Sequence, residues 1–277
     1  MPVGLTNVTA IAGGYAHTVA LQASGTVVAW GNNSYGQTSL PSGLTNVLEI
    51  ACGGYHNLVL KSDGTVLAWG NNGSGQTNVP TGLTDVVAIA AGGYHCLALR
   101  ADGAVIVWGD NSVGQTNVPT GLTNVIAMAG GWFHSFALTA DGRVIAWGDN
   151  SSGQTNVPPA ITNAAAIACG GSHNLVLKAD GTAIAWGNNA SGQTNVPVDL
   201  SGVVALAGGY SHSLALVGDG PPFLTAPLVS RAVVYGTTAH LWRFMSPRRI
   251  MLATPARCTS RSAPDTRKSS RSPLLRR

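Results

Sequence analysis

Charge of either sign is scarce through most of this chain. Residues 1–221 hold four basic side chains (Lys61, Arg100, Arg143 and Lys178) against ten acidic ones, a net charge of −6. That body lacks the clustered lysine and arginine of a nucleic-acid surface, so a nucleic-acid partner is not expected for it. Glu49 is the only glutamate and half of the aspartates stand in Asp-Gly pairs, which leaves little for a general acid–base couple. No apolar run approaches the roughly 18 residues that cross a bilayer. The first residues show no basic segment followed by an apolar one, so no signal peptide is read there. The four cysteines (52, 96, 169 and 258) form no Cys-x-x-Cys pair. Cys52 and Cys169, three repeats apart, read as small core residues.

What is present is repetition. Trp30, Trp69, Trp108, Trp147 and Trp186 recur every 39 residues, and His17, His56, His95, His134, His173 and His212 keep the same period. Internal periodicity of this length is the signature of a repeat architecture. The chain enters the pattern at Pro2–Val8, which matches Pro80–Val86, as a fragment of something longer would.

Each unit reads as four short strands, for example Val86–Ala91, His95–Arg100, Ala104–Gly109 and Gly114–Pro119. Asp-Gly between the second and third is a hairpin signal. Nothing sustains a helical period. Four strands per unit of about 40 residues imply an all-β fold, a β-propeller of four-stranded blades. Six first and second strands but only five Trp-Gly strands give about six blades, or an incomplete seven-bladed ring. In this reading the tryptophans fill the space between blades and Asn33 and its equivalents fold turns.

The motifs Gly-x-x-His-x-x-x-Leu, Asp-Gly and Trp-Gly-x-Asn-x-x-Gly-Gln, as in Ala51–Gln76, resemble the regulator of chromosome condensation repeat family. The shorter period and the Gly-Gln-Thr-Asn-Val-Pro ending are more similar to its bacterial branch, which includes the second type of secreted β-lactamase inhibitor protein. The resemblance implies a propeller, usually of seven blades, that acts mainly by binding proteins. It also implies an extracellular or cell-surface location. Inhibition of a β-lactamase is not carried over, because the loop sequences differ.

Six histidines on successive blades are spread around a ring, so no metal site and no cofactor is expected; each is read as a hydrogen-bonding group inside its blade. No catalytic residue is assigned, and the chain is read as a non-enzyme. The copies differ most in the loop before each histidine and in the loop after each tryptophan, which antiparallel strands put on one face. Tyr15, Tyr35, Tyr55, Tyr94, Trp132, Phe133 and Tyr210 lie there and are the candidate partner-binding residues. The inhibitor protein uses aromatic residues of matching loops, which supports this choice. The expectation is a monomeric scaffold for a protein partner of unknown identity. The alternative is a structural module of a larger secreted or surface protein; nucleotide exchange on a small GTPase, known in the eukaryotic branch, ranks third.

The organisation expected is a repeat domain over residues 1–221, degenerate strands or a linker over 222–240, and a basic, disordered tail over 241–277. Residues 222–277 hold eleven basic side chains and only Asp265, a net charge of +10. The tail is read as a functionally empty extension, because one charge sign appears only where the repeat stops; the alternative is an arm for nucleic acid or anionic membrane.

Overall fold

The computed structural model describes Pro2, residues 4–218 and two short strands at 228–230 and 241–243. Six first strands recur along the chain: β1 (Val8–Gly13), β4 (Val47–Cys52), β7 (Val86–Ala91), β10 (Val125–Gly130), β13 (Ala164–Cys169) and β16 (Val203–Gly208). Each pairs antiparallel with a second strand: β2 (His17–Gln22), β5 (His56–Lys61), β8 (His95–Arg100), β11 (His134–Thr139), β14 (His173–Lys178) and β17 (Ser213–Val217). Five third strands complete their sheets: β3 (Val27–Gly31), β6 (Val66–Gly70), β9 (Val105–Gly109), β12 (Val144–Gly148) and β15 (Ala183–Gly187). The sixth blade has two strands among the described residues. A separate pair joins β18 (Leu228–Ser230) to β19 (Leu241–Arg243). There is no helix among the described residues, hence none long and apolar enough to cross a membrane.

One feature differs from the sequence reading. Blades have three strands and not four, because the Gly-Gln-Thr-Asn-Val-Pro segment closes into a loop. Gln76 accepts the Ser74 N–H at Oε1 (2.8 Å) and donates from Nε2 to Asn71 Oδ1 (2.7 Å), and Asn72 Oδ1 accepts the Thr77 N–H (3.0 Å). With those groups satisfied locally, no ladder forms at the third strand's outer edge. The Asp-Gly signal does mark a hairpin, through a three-residue loop. Lys61 N–H bonds Thr65 O, and Gly64 N–H returns to Lys61 O with φ at +78°. That is a turn closed by a left-handed glycine.

The core lies between blades. Alternating β-strand side chains point to opposite sheet faces, so each blade offers one face forward and one back. Trp69 of the second blade packs on Ala10, Val19, Leu21 and Val27 of the first. Trp108, Trp147 and Trp186 repeat that packing one blade further on each time. Of the segment 222–240, expected as degenerate strands or a linker, only Leu228–Ser230 is described; Cys258 and the body of the tail lie outside the described residues. Cys52 and Cys169 are buried thiols.

Candidate partner-binding face

The histidines are the first element of the site's scaffold, and their bonds run between blades, not within one. His17 Nε2 meets Asn57 Oδ1 at 2.7 Å, and His134 Nε2 meets Asn174 Oδ1 at 2.8 Å. His56 reaches Cys96 Sγ (3.1 Å), His95 reaches Ser135 Oγ (3.0 Å) and His173 reaches Ser213 Oγ (3.0 Å). Every one of these partners spends its own hydrogen on a glutamine carbonyl of the preceding blade, as Asn57 Nδ2 does on Gln37 O at 2.8 Å. The imidazole must therefore be the donor, through Nε2–H, which fixes the neutral tautomer. Burial drives the pKa of His56 and His95 down to about 3, and that of His134 and His173 to about 4. Among the described residues no group of three or more His, Cys, Asp or Glu side chains converges.

Each imidazole also covers the glycine three positions before it. A Cβ on Gly53 would lie 2.1 Å from His56 Cε1, so the Gly-x-x-His spacing is steric in origin. The next residue links the blades through the backbone. Tyr15 N–H bonds Gly54 O (2.9 Å), Gly54 N–H bonds Gly93 O (3.0 Å), Gly93 N–H bonds Gly131 O (3.0 Å) and Trp132 N–H bonds Gly171 O (2.8 Å). These bonds hold the loops before the histidines edge to edge.

On that platform the seven candidate aromatics form one connected network. Tyr35 and Tyr55 have ring centroids 5.3 Å apart, Tyr15 and Tyr55 5.5 Å, and Tyr55 and Tyr94 6.4 Å. Tyr94 meets Trp132 edge-on at 5.6 Å and stacks on Phe133 at 5.9 Å. Trp132 also reaches Tyr15 at 6.0 Å and Tyr210 at 5.2 Å. It thus touches rings from the first, third and sixth blades. Edge-to-face contacts at these separations are the favoured aromatic geometry.

Sequence reasoning missed what makes room for Trp132. Tyr15, Gly54, Gly93, Trp132, Gly171 and Tyr210 occupy one repeat position. A Cβ on Gly93 would lie 2.9 Å from Trp132 Cδ2, and one on Gly54 3.7 Å from Trp132 Cη2. Gly171 makes the same allowance for Tyr210, at 2.9 Å from its Cδ2. The alternation of glycine and aromatic at that position was the available signal.

Tyr15, Tyr35 and Tyr210 are exposed, and Tyr55, Tyr94, Trp132 and Phe133 are half-buried. Partial burial, then the neighbouring tyrosines, pushes the Tyr55 and Tyr94 phenols above their ordinary pKa; Asp110 adds to the effect at Tyr94. Asp110 and Asp149 give this face negative charge. The four lysines and arginines of residues 4–218 stand at the opposite end of the strands, each beside the aspartate of its Asp-Gly turn. Those pairs are Lys61–Asp63 (3.4 Å), Arg100–Asp102 (3.3 Å), Arg143–Asp141 (2.8 Å) and Lys178–Asp180 (3.1 Å). Exposed pairs of this kind contribute little stability, but they keep cations away from the aromatic face.

Blades stapled by a tryptophan, a histidine and a glutamine carbonyl, under a ring of loops, define the class as a β-propeller built of Trp-Gly repeats. Residues 8–37, 47–76, 86–115, 125–154 and 164–193 match the regulator of chromosome condensation (RCC1) repeat, and the chain belongs to that family. Among solved structures it is similar to Prp20p of Saccharomyces cerevisiae, at 23% identity and TM-score 0.68, over 79% of this chain and 72% of that one. It is also similar to the ectodomain of the Physcomitrella patens receptor kinase CR4, at 21% identity and TM-score 0.67, over 82% of this chain and 68% of that one. Human WBSCR16 matches at 21% identity and TM-score 0.61, over 87% of this chain and 75% of that one. A comparison with curated protein sequences finds no match.

Proposed function

We propose that this chain is a non-catalytic propeller scaffold that binds a protein partner through its aromatic-bearing face. One observation carries the reading. Seven rings from five blades form a single contacting network on one end of a rigid ring, while the opposite end is uniform and salt-bridged. Large aromatics on a preorganised platform supply contact area at low entropic cost, which is why they dominate protein interfaces. The structure of Prp20p is described together with its binding to Gsp1p and histones, a precedent for partner binding on this fold. Fold alone does not transfer a partner.

The 39-residue period and the Gly-Gln-Thr-Asn-Val-Pro ending support placement in the bacterial, secreted branch of the family. The sixth blade, with two strands among the described residues, favours a second reading, in which the chain is a structural module of a larger secreted or surface protein. Affinity capture separates the two. The immobilised chain should retain a partner that is lost from the double variant Trp132→Ala/Tyr94→Ala and kept by Asp102→Asn at the opposite end. Retention by all three would remove the aromatic face from the account.

A further inference from the structure

We propose that the open side of the sixth blade is a binding site for an extended polypeptide strand carrying a Trp-Gly pair, supplied by a partner chain. The inference is independent of the aromatic face and rests on a comparison of the molecule with itself. Four glutamine carbonyls each receive two donors from the next blade. Gln37 O takes Asn57 Nδ2 and Trp69 Nε1, and Gln154 O takes Asn174 Nδ2 (2.6 Å) and Trp186 Nε1 (3.1 Å). Gln76 O and Gln115 O are served in the same way by Trp108 and Trp147. Gln193 O is the fifth, and among the described residues it takes only Ser213 Oγ, at 2.6 Å. Thr225 stands where the repeat would place tryptophan.

No described residue fills the space that an indole would take. A cleft of about 370 Å³ lies against Gln193, lined by Leu175, Ala183, Ala185, Leu206 and Ala215. One repeat earlier, the equivalents of these five are Phe136, Val144, Ala146, Ile167 and Val176, which pack around Trp186. Phe136 meets that indole edge-on at 5.5 Å. The cleft is therefore the Trp186 seat repeated without its tryptophan.

The backbone beside it is ready for a strand. β17 pairs with β16 on one edge, and no described strand takes its other edge, which in the five complete blades carries the third strand. Leu214 and Leu216 are 51% and 54% exposed, whereas their equivalents Leu175 and Leu177 are 2% and 1% exposed. An unpaired edge with apolar side chains is a template for strand addition. The interface that would form continues one already made four times in the chain. That continuity fixes the occupant: an antiparallel strand of the pattern apolar-x-Ala-Trp-Gly, its indole N–H on Gln193 O.

The probe is a fluorescein-labelled peptide with the sequence of Thr182–Asn188, titrated with the full chain and read by anisotropy. Saturable binding is expected, weakened at least about tenfold for the same peptide carrying Trp186→Ala. Ala215→Phe in the protein, which fills the cleft, should abolish binding with the thermal transition retained; Ala185→Phe, on the facing wall, serves if that variant fails to fold. No saturable binding, as when the chain's own downstream residues take the cleft, would overturn the proposal. So would equal binding of the two peptides or undiminished binding to the filled variants.

Discussion

The Trp69 indole donates its Nε1 hydrogen to the main-chain carbonyl of Gln37, in the preceding blade, across 3.1 Å. This one bond joins the two segments that give the repeat its character, the Trp-Gly strand and the Gly-Gln loop. It explains why the loop is no strand: its carbonyl is committed to the next blade. A tryptophan in this position is at once core and hydrogen-bonding staple, and its removal has two costs.

Trp108→Ala should therefore destabilise by about 3–5 kcal/mol in urea unfolding, the range for a buried aromatic truncated to alanine. Trp30 is half-buried and makes no such bond to a glutamine among the described residues. Trp30→Ala should cost clearly less. Equal losses would mean that the interblade seat adds nothing.

The histidine staple allows a sharper comparison. Asn174→Ala removes the acceptor of His134 Nε2–H and one donor to Gln154 O, and leaving buried groups unsatisfied should cost about 1–3 kcal/mol. Asn174→Ser should recover much of that loss, because Ser135 and Ser213 do the same work in their blades. Thermal melts of the pair decide it. Failure of serine to improve on alanine would show that volume matters there and not hydrogen bonding.

Acid should destabilise the protein through the same groups. Folded-state pKa values of about 3 for His56 and His95, and about 4 for His134 and His173, lie below the ordinary histidine value near 6.5. In that interval the unfolded chain binds more protons than the folded one. Stability is then full above pH 6.5 and falls progressively as pH drops towards 4 and 3. Midpoints of urea unfolding between pH 7.5 and 4 measure this, and a flat profile would contradict neutral, buried imidazoles.

Gly93 ties packing to the candidate site. A Cβ there would sit 2.7 Å from the Trp132 carbonyl and 2.9 Å from its ring. Gly93→Ala should displace Trp132 and change its fluorescence anisotropy and quenching, although residue 93 carries no group that could itself contact a partner. Unchanged fluorescence would show that the indole does not rest on this glycine.

Much of this was legible in the sequence, for reasons of periodicity. Strict 39-residue spacing places Trp30 to Trp186 and His17 to His212 at equivalent positions, and short runs that are apolar on both faces define the strands. That the candidate aromatics share one face followed from antiparallel strand direction, and their choice from the divergence of the copies there. The loop fold of Gly36–Pro41 was hidden, because Thr38 and Leu40 suggest a strand while Gln37 and Asn33 satisfy the backbone locally. The interblade partner of each histidine was hidden too, since it lies 40 positions ahead and varies as Asn, Cys or Ser. Trp132 was only one aromatic among seven until Gly54 and Gly93 showed what they leave room for.

The central claim is that the aromatic network is where a protein partner binds. The most direct measurement is the dissociation constant of the captured partner, by calorimetry, for the wild-type chain and for Trp132→Ala. As the ring touching Tyr15, Tyr94, Phe133 and Tyr210, Trp132 should behave as an interface hot spot. Its loss should weaken binding about thirtyfold or more, equivalent to at least about 2 kcal/mol, with the melting transition little changed. An unchanged dissociation constant for Trp132→Ala, together with a loss of affinity in Asp102→Asn at the opposite end, would place the partner on the other face and contradict the account.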